Sequence, residues 1–324
     1  MMAFFSEPYL REIFPFDSAN GRIMVTILLT LAPLIYAWIR VRPLDNSEPK
    51  PLVGMDAPKL ALVTVGFALG AVVFVLIGSA FMQDSFDRDC NCNWILEGER
   101  YQTMSVLAEY APTSWLMPLF FLPFGVGCAM LSVHVLKRAM SVSENRSGIR
   151  SVAVWWWFFI TMNVAFWSIW EIILSNGFGR GPDNMADAPK FLLNESHHIF
   201  GSYFYFFSGC FCALFGWLAM IPEARDRKRL NLPKMPTRLR AHAVSAFLCV
   251  FQGIHYLVIY ESPQWYRFLV GGDNSWWVGP SVLGVNETFL ILTQIFWGVL
   301  IFMYLKQEIP ETMLWKPSIP EKEA

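Results

Sequence analysis

The sequence predicts an all-α integral membrane protein with seven transmembrane helices, its N-terminus outside and its C-terminus in the cytoplasm. Three observations carry this. Of 324 residues, 55% are hydrophobic and 16% charged, a balance that excludes disordered and coiled-coil chains and that few water-soluble domains tolerate. The apolar residues gather in runs of about 20, the length a helix needs to cross about 30 Å of hydrocarbon. The cations fall on alternate connections between those runs, as they do when Lys and Arg are retained on the cytoplasmic side.

An outer arm, residues 1–21, precedes the first predicted span, 22–41. No small-residue cleavage site follows its apolar part, so it reads as a span and not as a cleavable signal. Gly66, Gly70 and Gly78 in the second span (59–82), and Gly125 and Gly127 in the third (114–136), suit close helix approach or room for a flat cofactor, with close packing favoured. The fourth span (151–175) holds Glu171 near its outer end. The fifth (198–221) opens at His197 and His198, the sixth (241–261) holds His242 and His255, and the seventh (284–305) holds Glu287 near its start. The transmembrane domain is thus 22–306, and a cytoplasmic tail, 307–324, follows.

Orientation comes from the 25 Lys and Arg. The stretches 40–59, 137–150 and 222–240, with Lys306, Lys316 and Lys322, hold 18 of them; the opposite loops 83–113, 177–197 and 262–283 hold 2, 2 and 1. The basic inner loop 222–240 reads as a topology anchor against anionic headgroups. Residues 83–113 read as an acidic outer cap, 176–190 as an irregular loop, and Trp265, Tyr266, Trp276 and Trp277 as an interfacial aromatic belt. Cys90 and Cys92 fall in the outer cap, where a disulfide of some kind or free thiols both remain open. Cys128, Cys210, Cys212 and Cys249 read as small apolar packers within spans.

Ionisable groups are expensive inside a bilayer, so function is their default explanation. All five His fall within or at the end of a predicted span. His134 and His242 match in depth on the cytoplasmic side, and His255 lies about 20 Å higher along its helix. Glu171, His197, His198, His255 and Glu287 form an outer group. Two redox chemistries fit. His134 with His242, and His198 or His197 with His255, could be axial ligands of two b haems, although His242 and His255 stand about 140° apart around one helix. Alternatively, Glu171, His197, His198, His255 and Glu287 could hold a transition metal, Fe or Cu foremost. The expected function is therefore a membrane oxidoreductase or electron-transfer subunit with a His-anchored haem b or non-haem metal near the outer leaflet.

A transporter or ion-coupled channel using a Glu171, His255 and Glu287 pathway is the alternative, and a structural subunit of a larger membrane complex the third. Expected partners are the lipid bilayer, other membrane subunits or a quinone, with no nucleic acid, in a bacterial inner (plasma) membrane. The seventh span has no internal Lys, so a retinal Schiff base is not expected. The Trp-rich spans with acidic and His residues at their outer ends resemble copper membrane monooxygenase subunits in general style. The D-x3-H and N-x3-H ligand motifs of those subunits are absent here, and no family is assigned.

Overall fold

A computed structural model describes residues 19–41, 51–89, 113–146, 148–175, 192–233, 239–261 and 280–315. Within them the chain is helical: α1 (Ala19–Arg40), α2 (Ala57–Asp89), α3 (Thr113–Ser141), α4 (Gly148–Trp170, continued by a π turn, Glu171–Ser175), α5 (Leu192–Arg229), α6 (Leu239–Glu261) and α7 (Pro280–Leu305). Among the described residues there is no β-strand, only two isolated bridges. Six helices, α1 to α5 and α7, are long and apolar enough to cross a membrane. A lipid bilayer is therefore the environment of this chain. The sixth predicted span coincides with α6, a 23-residue helix bearing His242, Gln252 and His255, which is not one of the six. The first arm, the cap beyond Asp89 with Cys90 and Cys92, the 176–190 loop, the aromatic belt and the end of the tail lie outside the described residues.

Two helices outrun their predicted spans. α2 continues to Asp89, into the expected outer cap. α5 continues through Pro222 to Arg229, so residues 222–229 of the expected basic loop are helix. It ends in a Schellman motif: Asn231 adopts φ 51°, the left-handed conformation that asparagine tolerates, while Leu232 N–H donates to Arg227 O and Asn231 N–H to Lys228 O. Pro233 then bars continuation.

Helices α2, α3, α4, α5 and α7 form a closed ring of neighbours. α1 packs outside it against α3 and α4, and α6 packs outside it against α5 and α7. Both outer helices expose large apolar side chains, among them Leu28, Ile35 and Ile39 on α1 and Phe247, Phe251 and Ile254 on α6, as helices facing lipid do. Lipid tails are as apolar as leucine, so what holds such helices together is close packing.

Small residues set that packing. Gly70 meets Phe120, Gly125 meets Ile169 and Gly127 meets Thr64, so neighbouring side chains fill the space a flat cofactor would need. Gly66 differs from the expectation: no atom of a neighbour lies within 4 Å of where its Cβ would stand. The denser stripe is on α5. Gly201, Tyr205, Gly209, Cys212 and Gly216 recur every three or four residues, on one helical face. Against the three glycines lie Trp170 and Glu171, then Gln294, then Trp157 and Trp297.

Candidate functional site

Inside the five-helix ring is a cavity of about 100 Å³. Its wall is mostly apolar, and no charged side chain lines it. The polar groups it does present are Thr64, Thr161, Tyr205, Gln294 and the thiols of Cys128 and Cys212, between the indoles of Trp157 and Trp297. Most of this polarity is already satisfied internally. Thr64 and Thr161 donate to the carbonyls of Leu60 and Trp157 one turn back, Thr161 Oγ1 lies 3.3 Å from Cys212 Sγ, and Gln294 Nε2 donates to Phe206 O across to α5. The Trp297 N–H is the exception. It lies near the Cys212 sulfur, a weak acceptor, but is buried and makes no hydrogen bond of acceptable geometry. Gly216 is what lets both indoles converge here, since a Cβ would overlap Trp297 and come within 2.9 Å of Trp157.

Glu171 sits above the cavity at the first position of the π turn, where α4 widens. Such turns interrupt the α-helical ladder and recur at functional positions. The side chain is only 7% exposed and fills the space that Gly201 leaves on α5. One turn along the same face of α5, the Tyr205 hydroxyl is within electrostatic reach of both the Glu171 carboxyl and the Cys128 thiol. Tyr205 also lines the cavity. Tyr205 thus stands between Gly201, against which Glu171 packs, and the cavity-lining Gly209 and Cys212 on that face.

A second buried carboxylate lies toward the opposite end of α5 from Glu171. Glu223 on α5 accepts from Arg138 on α3 at 3.3 Å, from Arg227 one turn on at 3.1 Å, and from the Tyr304 hydroxyl on α7 at 3.1 Å. The Arg138 guanidinium lies 4.5 Å from the Tyr304 ring centroid, and the other face of the site continues upward, since Tyr304 packs on Trp157 of the cavity wall. The tail is strapped beneath: Arg227 donates to Glu308 O at 2.6 Å, Trp315 N–H donates to Ser141 O at 2.9 Å, and Arg146 covers the Trp315 ring at 3.7 Å.

The residues singled out from sequence are distributed as follows. His134 is buried on α3. His242 is buried on α6, edge-on to Trp297 at 5.4 Å between ring centroids, so it backs the cavity wall from outside the ring. α3 and α6 are not packed neighbours, and neither His lines the cavity. His255 stacks on Phe251 along α6 at 6.0 Å. Glu287 is buried on α7. His197 and His198 fall in the first turns of α5, where side chains lie outside the described residues. Among the described residues no three His, Cys, Asp or Glu side chains come close enough to share a metal ion. Of the remaining polar residues, Gln252 bonds Asn286 between α6 and α7, whereas Asn163 turns back on its own helix to Phe159 O.

Glu223, Tyr205 and the α5 glycines were not singled out from the sequence, although signals existed. Glu223 and Arg227 stand at i,i+4, and the glycines keep a helical period. Compared with protein families, curated proteins and solved structures, the chain matches none.

Proposed function

We propose that this chain is a seven-span carrier of a bacterial inner (plasma) membrane, N-terminus outside and C-terminus in the cytoplasm, whose coupling group is Glu171. The observation that carries the reading is the placement of Glu171: a buried carboxylate at a π turn, seated on Gly201 of the next helix, one turn from Tyr205, which lines the central cavity. A carboxylate buried at such a depth is expensive to ionise. Loading or unloading a proton there therefore changes which packing of α4 on α5 is preferred, and two packings that differ in access are what a carrier needs. The Arg138–Glu223–Arg227–Tyr304 cluster holds the inner end shut in this state. Proton flux into proteoliposomes under an imposed potential, read with an internal pH dye, tests it: Glu171→Gln should abolish the flux, and undiminished flux in that variant would sink the reading.

A membrane oxidoreductase or electron-transfer subunit is the second reading. What favours it is that every His lies in or beside a span, with His198, or His197, and His255 on the adjacent helices α5 and α6. It would hold haem b, or Fe or Cu, and pass electrons to other membrane subunits or a quinone. An absorption spectrum without a Soret band, together with metal analysis without stoichiometric Fe or Cu, would dispose of it.

A further inference from the structure

We propose that the segment Glu308–Trp315 is a detachable strap, and that α3, α5 and α7 separate at the Glu223 end of the bundle only when it releases. The geometry behind this is a double tie across the same three helices. The first tie is buried: Glu223 of α5 joins Arg138 of α3 and Tyr304 of α7. The second is the chain that leaves α7 at Leu305. Its Glu308 carbonyl accepts from Arg227 of α5 at 2.6 Å, and its far end reaches the end of α3, where Leu314 pairs with Val142 and the Trp315 N–H donates to Ser141 O at 2.9 Å. Arg227 belongs to both ties, since the same guanidinium donates to Glu223 Oε1 at 3.1 Å. Pulling α3 or α5 away from α7 therefore breaks the strap as well as the cluster. What marks the strap as detachable is how few contacts hold it. Beyond the single 3₁₀ turn Glu311–Met313 it has no helix of its own, and it pairs with α3 through one bridge. Met313 is its only buried side chain. Trp315 lies on Arg146, and both side chains are exposed, so water takes over when that contact breaks. Segments held by few buried apolar contacts are the ones that open locally.

This inference rests on the carrier reading only for the consequence of release, because opening is measured without flux. The full chain in phosphatidylcholine nanodiscs is followed by amide hydrogen exchange at 219–229 of α5, with 154–164 of α4 as the reference stretch. Met313→Asp puts a charge where the strap is anchored. It should speed exchange at 219–229 about tenfold or more, the worth of one buried Met side chain, and leave 154–164 as in the parent. The opposite change is a lock. Residues paired across an antiparallel bridge lie within disulfide range, so Val142→Cys with Leu314→Cys, once oxidised, should exchange more slowly at 219–229 than the parent taken through the same oxidation. Reductant should restore the rate. Unaltered exchange at 219–229 in Met313→Asp, or no slowing by the lock, would overturn the proposal. If Met313→Asp exchanges faster at both stretches the variant has lost its fold, and the lock decides alone. Where Glu171-dependent proton flux is found, the lock should stop it reversibly, and flux that continues under the lock also overturns the strap. Absence of flux in the parent removes the carrier reading alone and leaves the strap to the exchange result.

Discussion

Glu223 on α5 accepts a 3.1 Å hydrogen bond from the hydroxyl of Tyr304 on α7, and both side chains are wholly shielded. The same carboxylate faces Arg138 of α3 and Arg227 of α5, so three helices meet on one acidic residue. Removing one partner from such a cluster leaves the others charged and buried. Glu223→Ala should therefore cost about 3–5 kcal/mol of stability, read as a fall in unfolding temperature in detergent. Glu223→Met with Arg138→Met should cost less than Glu223→Ala, because one of the two guanidinium groups that lose their carboxylate is removed with it and only Arg227 is left.

The glycines make opposite predictions according to what their missing Cβ would meet. Gly216→Ala drives a methyl into Trp297 and to 2.9 Å from Trp157, two rigid indoles, and should cost about 1–3 kcal/mol. Gly66→Ala meets nothing within 4 Å and should be neutral or gain up to about 1 kcal/mol from better helix propensity. Unfolding midpoints of the two variants check this, and a Gly216→Ala protein as stable as the parent would contradict the packing.

The orientation argued from Lys and Arg has its own test. With 18 of 25 cations on one face, a fluorescent protein fused after Ala324 should mature in the cytoplasm, and alkaline phosphatase fused after Lys190 should be active outside. Phosphatase activity at the C-terminal fusion would overturn the proposed topology.

The same charge pattern marks how far the sequence could be read. Apolar run length coincides with seven long helices, six of them long and apolar enough to cross a membrane, because in lipid the backbone must satisfy itself within a helix whatever the neighbours are. Neighbours decide the rest. The equal depth of His134 and His242 was legible from their distance to the span ends, but depth does not say which helices touch, and α6 lies outside the ring that α3 belongs to. Glu223 read as one acid in a basic anchor, since nothing in the order of residues places Arg138 and Tyr304, 85 and 81 positions away, beside it. Glu171, at the π turn, packs where Gly201 of α5 lacks a side chain, which is a property of the pair. Gly66 and Gly70 look alike in sequence and differ only in that Phe120 faces one of them.

Tyr205 offers the closest test of how the outer carboxylate reaches the cavity. Its ring packs on Phe121 at 6.0 Å and Phe206 at 5.4 Å between centroids, and Tyr205→Phe keeps those contacts while deleting the hydroxyl. Stability should change by no more than about 1.5 kcal/mol, the net worth of one hydrogen bond. If the hydroxyl relays protons between Glu171 and the cavity, flux in Tyr205→Phe should fall toward the level of Glu171→Gln, and the double variant should be no slower than Glu171→Gln alone. Groups acting as one unit are non-additive in this way, whereas independent contributions multiply. A double variant that loses the product of the two single losses would separate the residues, leaving Glu171 to exchange its proton by a route that bypasses Tyr205.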